Sequence, residues 1–287
     1  MQMNRERLVK LLQDAATAGA TEVHFKVPSC PLLRIDGKLV PTSRDALTPR
    51  SAQEVVFALC ALAQLEIPLG AIKDSEFSFG LQSIGRFRAY IYRQRGSLSA
   101  VVQRVATELP ALADFGLGRD ADDVVGDPGL VLLCGHRRKD LLAAIVSSYN
   151  QRSRGHVVVL ESPLSYLYRD AVATIAHREV GFDVPSFRQG IRQAIRVGVD
   201  VLIVGDVADE ETAESVLVAA EAGTPIIASV GAPVASDAAW WMSRLFVGER
   251  RQDAERRLNT LMRSIICVGA DGKAEQLDAT RQWRAAV

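Results

Sequence analysis

The chain has 287 residues, and its 34 lysines and arginines balance 34 aspartates and glutamates, so the formal net charge is zero. Hydrophobic residues make up 48% and charged residues 24%, which is average for a globular protein and excludes a disordered chain or a disulfide-rich miniprotein. The zero net charge argues against nucleic acid as a partner, because such binding depends on a basic surface.

The first hundred residues predict a compact α+β domain. Helices are expected at residues 4–19 and 51–65, where apolar residues recur every three or four positions. We place the start of the second helix at Ser51, because Glu54 follows three residues later in a capping-box spacing. Strands are predicted at residues 21–27, 32–35, 38–40, 77–79, 85–92 and 98–105. This gives an N-terminal domain of residues 1–107, followed by a linker, residues 108–128, that contains proline, glycine and several aspartates.

From residue 129 onwards short apolar runs alternate with amphipathic stretches. Strands are predicted at residues 130–134, 156–160, 201–204 and 226–230, and helices at residues 139–149, 187–196, 208–222, 236–246 and 253–266. Such alternation is typical of a parallel sheet that is covered by helices on both faces. Residues 129–287 are therefore predicted to form a three-layer α/β domain.

The spacing of the cysteines and the apolar segments indicate whether the chain binds a metal and where it is located in the cell. The four cysteines are far apart, and neither a C-x-x-C pair nor a histidine cluster occurs, so no metal site is expected. Thiols without a disulfide framework are typical of a reducing compartment. The most apolar window, residues 225–242, contains two prolines and an aspartate, so no membrane span is predicted. We therefore expect a cytoplasmic protein.

The first strand of the second domain runs directly into a candidate ligand-binding segment. The segment reads Gly135, His136, Arg137, Arg138, Lys139, Asp140. A phosphate-binding loop needs the pattern G-x-x-x-x-G-K-[ST], because glycines let backbone amides turn inward around a phosphate. Here the second glycine is missing and bulky side chains take its place. Two interpretations stay open: a plain turn with exposed cations, or binding of a nucleotide or another anion through Arg137, Arg138 and Lys139.

A series of short stretches, spread in order along nearly the whole chain, carries a family resemblance. They are residues 20–24, 34–37, 85–88, 93–96, 129–132, 160–163, 191–196, 200–206, 211–212 and 219–223. In them the sequence resembles the PilT-like pilus-retraction ATPases of the type II/type IV secretion ATPase superfamily. The resemblance implies an N-terminal PAS-like domain, a RecA-like P-loop NTPase-type domain, ATP with Mg²⁺ as ligands, a hexameric ring, and a role in type IV pilus function and twitching motility.

The nucleotide-site motifs of that family are altered in this chain. The altered positions are Asp140 or Leu141 in place of the hydroxyl residue of Walker A, Ser162 between Glu161 and Pro163, Asp206 in place of the Walker B glutamate, and Gly231 in place of a histidine. Glu161 and Asp206 stand as remnants of catalytic carboxylates. If three charge-assisted phosphate contacts of roughly 1.5–3 kcal/mol each are lost, the affinity for ATP falls about a thousandfold or more.

Two arginines of the N-terminal domain match positions that act on a neighbouring subunit in the family. Arg93 and Arg95 correspond to cations that the resemblance places near a partner's phosphates. They are candidates to act in trans within a mixed ring, and solvated surface arginines are the equal alternative. Of Trp240 and Trp241, we expect one to pack in the core and the other to be an exposed anchor for a partner.

These observations predict a non-hydrolysing structural or regulatory subunit that acts through protein partners. The expected partners are other subunits of a type IV pilus or secretion motor, including an intact PilT-like ATPase, in a homo- or hetero-hexamer held peripherally at the inner membrane. No cofactor is expected unless the site still accepts ATP and Mg²⁺. The alternatives are an atypical active ATPase that powers pilus retraction or type II secretion, and a sensor of another anionic ligand.

Overall fold

The computed structural model describes residues 4–42, 45–65, 74–106, 108–118 and 125–278. The chain divides into two compact units, one ending at Val105 and the other beginning at Ala106. Among the described residues, no helix combines the length and the hydropathy that crossing a lipid bilayer requires. All four cysteines are free thiols.

The first unit is a six-stranded antiparallel sheet with two helices. Its elements are α1 (Arg5–Thr17), β1 (Glu22–Phe25), β2 (Leu32–Ile35), β3 (Lys38–Pro41), α2 (Pro49–Leu62), β4 (Ser75–Leu81), β5 (Gly85–Gln94) and β6 (Ser97–Arg104). The strand order is β3-β2-β1-β6-β5-β4. All six strands were predicted to within two residues, because alternating apolar and polar residues mark half-buried strands.

The second helix begins earlier than predicted. Thr48 is the N-cap, since its hydroxyl accepts a hydrogen bond from the Ser51 amide at 3.2 Å and its own amide donates to the Ser51 hydroxyl at 2.9 Å. Ser51 is therefore the third helical residue and completes the capping box, the role that we had assigned to Glu54. Pro49 occupies the first turn, where its missing amide hydrogen costs no hydrogen bond.

The two helices pack on one face of the first sheet. Leu12 of α1 and Leu59 of α2 are completely buried there, together with Val23 and Phe25 of β1. Glu22 and His24 alternate with Val23 and Phe25 along β1, so they point to the opposite face of the sheet. The first unit therefore has an apolar face under its helices and a polar face beyond the sheet.

The polar face of the first sheet contains a charged cluster whose contribution to stability depends on pH. Oε2 of Glu22 accepts a hydrogen bond from Nε of Arg34 at 2.6 Å, and Nε2 of His24 lies 2.7 Å away. Burial raises the pKa of Glu22, but these two neighbours outweigh burial, and the pKa lies below its ordinary value of 4.5. A lowered pKa means that the stabilisation is present above pH 4.5 and is lost as the pH falls through the folded-state value.

We therefore expect Glu22→Gln to lower the free energy of unfolding by about 1 kcal/mol at pH 7, and by progressively less as the pH falls through the folded-state pKa of Glu22. Below that pKa the wild-type carboxyl is itself protonated and has lost the same interactions. Urea unfolding of both proteins over a series of pH values from 7 downwards measures the difference. A destabilisation that stays the same over the whole series would contradict the assignment.

The second unit is built on a seven-stranded sheet. Its helices are α3 (Arg138–Arg152), α4 (Phe187–Arg196), α5 (Glu210–Glu221), α6 (Ala238–Ser243) and α7 (Glu249–Leu261). Its strands are β7 (Gly129–Gly135), β8 (His156–Glu161), β9 (Thr174–Glu179), β10 (Val201–Val204), β11 (Pro225–Ser229), β12 (Met262–Val268) and β13 (Ala274–Asp278). The order is β13-β12-β7-β11-β10-β8-β9, and all neighbouring strands are parallel except β12 and β13.

Helices cover both faces of this second sheet. Along β7, Leu130 and Leu132 point into a core that α4, α5, α6 and α7 complete, whereas Val131 and Leu133 point into a second core against α3. A strand that is buried on both sides reads as a continuous apolar run, which is why the prediction identified it. The predicted three-layer α/β fold is confirmed.

Two assignments in the second unit were wrong, and strands β9 and β13 were not predicted. The helix that we predicted at residues 253–266 begins at Glu249 and ends at Leu261, and Met262 starts strand β12 beside β7. Within residues 108–128, expected to be a linker, a short 3-10 turn buries Leu112 and Phe115 against α3. Apolar residues at short spacing fit a helix or a strand equally well. Residues 262–268 form a strand because they can pair with the edge of the sheet next to β7.

Candidate functional site

The candidate site lies where four parallel strands of the second sheet end. In the sheet, β7, β11, β10 and β8 are neighbours in that order, so their carboxyl ends meet at one edge. This is the edge at which open α/β sheets bind ligands. Four of the polar residues there are Arg138 at the start of α3, Ser229 at the end of β11, Asp206 after β10 and Glu161 at the end of β8.

The turn that joins β7 to α3 is very short. Only His136 and Arg137 separate the last strand residue from the first helical one. The amide of Gly135 donates to the Ala232 carbonyl at 2.8 Å, and the amide of His136 donates to the Val268 carbonyl at 3.0 Å. Two amides that a phosphate-binding loop would turn towards its ligand are thus bonded to the neighbouring backbone.

Gly135 approaches β12 more closely than any other residue type allows. Its φ is +86°, in the left-handed region. A Cβ atom at this position would lie 2.2 Å from the Val268 carbonyl oxygen and 2.9 Å from the Cys267 sulfur. The glycine therefore serves the packing of two strands.

Arg138 crosses the site and bonds to the ends of two other strands. Its Nε donates to Oγ of Ser229 at 3.0 Å, and its Nη2 lies 3.6 Å from Oδ1 of Asp206. The side chains of Arg138 and Asp206 are 28% and 35% exposed, so solvent screens this ion pair only in part. Asp206, which the resemblance places at the Walker B position, thus has a cationic partner within the chain.

A second group of contacts closes the start of α3. Nε of Arg137 donates to one oxygen of Asp140 at 2.9 Å, and the hydroxyl of Tyr166 donates to the other at 2.8 Å. Burial and the hydrogen bond to Asp140 raise the pKa of Tyr166 far above its ordinary value, so the hydroxyl stays a donor. The guanidinium of Arg137 also lies 5.0 Å from the centre of the Phe115 ring. Both oxygens of Asp140 are therefore engaged.

The remaining two basic side chains of the segment are open to solvent to different degrees. His136 is exposed and Lys139 is half-buried. Within the described ranges, Lys139 makes no hydrogen bond or ion pair. Of the predicted phosphate-binding residues, Arg137 and Arg138 are therefore engaged with protein groups, and Lys139 is the cation left for a ligand.

Glu161 is packed beneath the site. It is 2% exposed, and its Oε2 accepts a hydrogen bond from the amide of Ser165 at 3.2 Å. A Cβ atom on Gly205 would lie 2.5 Å from Cγ of Glu161, so the glycine before Asp206 lets β10 close against this side chain. The buried carboxyl of Glu179 is its register partner on β9. Glu161 is thus shielded from bulk water.

An indole ring covers the position at which the resemblance expects a histidine. A Cβ atom on Gly231 would lie 3.0 Å from Nε1 of Trp241. Sequence reasoning did not identify Trp241, Ser229 or Tyr166 as site neighbours. Ser229 had a usable signal, because it ends an apolar strand at the same sheet edge, whereas nothing in the sequence pattern pairs Tyr166 with Asp140.

Arg93 and Arg95 belong to the first unit, at the end of the β5–β6 hairpin. Arg95 and Gly96 form its two-residue turn, with φ values of +49° and +78°. Both arginines are exposed. A turn with two left-handed residues follows the twist of the strands and places its side chains at the tip of the hairpin.

Comparison with known proteins identifies what this arrangement resembles. Residues 135–279, about half of the chain, match the family described as type II/IV secretion system protein. The type IV pilus ATPase PilU of Pseudomonas aeruginosa is 25% identical over 268 residues, which cover 92% of this chain and 69% of PilU. The type IV pilus retractation ATPase PilT of the same organism is 24% identical over 263 residues, covering 90% of this chain and 76% of PilT.

The fold agrees with a solved structure of the same group. The crystal structure of the pilus retraction motor PilT with bound ADP superimposes with a TM-score of 0.83 at 26% identity. The superposition covers 96% of this chain and 84% of that one. The similarity therefore extends over both units, beyond the part that the family match covers.

Proposed function

We propose that this chain, which belongs to the type II/IV secretion system protein family, is a PilT- and PilU-like motor homologue that does not hydrolyse ATP. Its role would be that of a structural or regulatory subunit which acts through other motor subunits in the cytoplasm. The observation that carries the proposal is the contact of Arg138 with Asp206 and Ser229.

This contact changes the electrostatics of the site. A family member that binds ATP and Mg²⁺ needs its Walker B carboxylate for the metal and its Walker A cation for the phosphates. Here Asp206 is paired with Arg138, which also donates to Ser229. Lys139, the residue aligned with the Walker A lysine, stays available to phosphate, but a nucleotide-bound metal would have to break the pairing before it could bind Asp206.

The residues present do not fit a triphosphate and its metal. The amides of Gly135 and His136 are bonded to backbone carbonyls, so the inward-turned amide cradle is incomplete. Asp140 stands where a hydroxyl would hold Mg²⁺, and both of its oxygens are already bonded to protein groups. Its negative charge also repels phosphate. We therefore expect no hydrolysis of ATP at this site.

Calorimetry and turnover assays on the purified protein test the proposal. We expect ATP with Mg²⁺ to bind with a dissociation constant in the millimolar range or weaker, and turnover at the level of a buffer blank. Micromolar binding with Mg²⁺-dependent turnover would instead establish the active ATPase. Binding of pyrophosphate or another anion without ATP turnover, lost in the Lys139→Ala variant, would favour the anion sensor.

The turnover assay also tests whether Arg93 and Arg95 act on a partner subunit. The exposure of Arg93 and Arg95 near the tip of the β5–β6 hairpin supports this role. Adding the protein to an intact PilT-like ATPase should then change the turnover of that enzyme, as expected in a mixed hexamer. The R93A/R95A variant should leave turnover unchanged, and an equal effect of both proteins would exclude the two arginines.

A further inference from the structure

Helix α6 carries a large aromatic side chain at the surface. Trp240 is 49% exposed, whereas its neighbour Trp241 is half-buried and packs against the core of the second unit. The two rings meet edge to face, with 6.2 Å between their centres. An exposed tryptophan that is fixed by a buried neighbour is a rigid apolar contact, and tryptophan is enriched at the centres of protein interfaces.

Arg244 is held in place by both indole rings. Its guanidinium carbon lies 4.3 Å from the centre of the Trp241 ring and 5.2 Å from that of Trp240. Arg244 is exposed, and none of the carboxylates that the structure describes lies within ion-pair distance of it. A guanidinium that stacks on aromatic faces keeps its N–H groups at the edge, where they match the two oxygens of a carboxylate.

Beside Trp240 lies a cavity of about 190 Å³ between α6 and α7. Its lining residues are Ser236, Ala239, Trp240, Ser243, Glu255, Leu258 and Asn259. Sites for small molecules span roughly 300–1,000 Å³, so this cavity suits a single side chain better than a cofactor.

The charge around the cavity selects the kind of side chain that docks. Among its described lining residues, Glu255 is the one ionisable group, and its Oε1 already accepts hydrogen bonds from Arg251 at 3.1 Å and from Ser243 at 3.2 Å. Of Glu255 and Arg244, only Arg244 is therefore left without a charged partner among the described residues. A basic segment would meet Arg244 and Arg251 together, whereas an acidic one gains an ion pair.

We propose that Trp240, Arg244 and the adjoining cavity, here called the tryptophan surface, dock a segment of a protein partner that carries an aliphatic or aromatic residue next to a carboxylate. The apolar side chain fills the cavity against Trp240 and Leu258, and the carboxylate bonds to the edge of Arg244. The site shares no residue with the nucleotide-site remnants, so its test does not depend on whether ATP is hydrolysed.

Blocked dipeptides provide a direct test on the full chain. N-acetyl-leucyl-glutamate amide is compared with the neutral leucyl-glutamine and the non-apolar glycyl-glutamate analogues, and binding is followed by tryptophan fluorescence in a W283F background. We expect the leucyl-glutamate peptide to bind at least about fivefold more tightly than either analogue. Arg244→Gln should abolish the preference for glutamate over glutamine, and Arg244→Lys should retain part of it, because lysine keeps the charge without the planar fork.

Variants at the apolar half complete the design. Trp240→Ala should lose binding of all leucyl peptides, whereas Val218→Ala, which truncates a similarly exposed side chain on α5, should leave every affinity unchanged. Circular dichroism checks that each variant is folded. Equal binding of the three peptides, or no binding of any of them, would overturn the proposal. Self-association of the protein that is lost only in the Trp240→Ala variant would also overturn it, because it would show that a second copy occupies the surface.

Discussion

Gly135→Ala is expected to lower the free energy of unfolding of the second unit by about 3–4 kcal/mol. A left-handed backbone costs an alanine about 1–2 kcal/mol relative to glycine, and the new Cβ would lie 2.2 Å from the Val268 carbonyl oxygen. Relief of that contact requires β7 and β12 to separate at the point where the His136 amide bonds to the same carbonyl. Overpacking of this kind typically costs about 1–3 kcal/mol.

The chain contains a matched control for this substitution. Gly181 has a similar φ of +91°, but a Cβ atom there would meet no atom of the described residues within 4 Å. Gly181→Ala should therefore show only the backbone cost, about 1–2 kcal/mol. Urea unfolding, followed by far-ultraviolet circular dichroism, measures both. Equal destabilisation by the two substitutions would mean that β12 gives way easily at the site.

The second large effect is expected at Arg257, which ties α7 to α5. Its Nε and Nη2 donate to the two carboxylate oxygens of Glu221 at 2.6 and 2.9 Å, and its Nη1 donates to Glu214 at 3.1 Å. The side chain is only 15% exposed, so these bonds are partly shielded from water. We expect Arg257→Met to lower the free energy of unfolding by about 2–3 kcal/mol, because it leaves two neighbouring carboxylates without their shared cation.

Arg256 on the same helix serves as the comparison. It is 78% exposed and, in the part of the chain that the structure describes, its side chain pairs with Asp253 alone, so Arg256→Met should change stability by less than about 0.5 kcal/mol. Arg257→Lys should fall between, since lysine keeps the charge but cannot bond to both oxygens in a fork. Chemical denaturation at low and high salt provides the readout. If the two methionine variants behave alike, the network adds nothing beyond surface charge.

Local sequence patterns predicted most of the fold, and they failed where tertiary context decides. The buried strands of the second unit were visible as short apolar runs, and α4 was predicted with the same limits, residues 187–196, that the structure has. Residues 262–266 were assigned to a helix because their apolar spacing continues that of α7. Their true state depends on the vacant edge beside β7, which is far away in sequence.

The site was predictable as a location more than as a set of contacts. The rule that ligands bind at the carboxyl ends of parallel strands brought Arg138 and Asp206 to one edge of the sheet. That Arg138 would reach Ser229, 91 residues away, and that Tyr166 would bond to Asp140 depend on side-chain directions which no spacing in the sequence encodes. The bonding of Arg137 and Arg138 to other protein groups therefore becomes visible only in the folded chain.

The two-residue turn between β7 and α3 also limits how this protein can be engineered. Restoring glycine or serine at single positions would change side chains but leave the amides of Gly135 and His136 bonded to Ala232 and Val268. Reintroducing a phosphate cradle therefore requires an insertion that lengthens the turn, together with replacement of Arg138. A gain-of-function screen restricted to point substitutions would have no single-step route to such a variant.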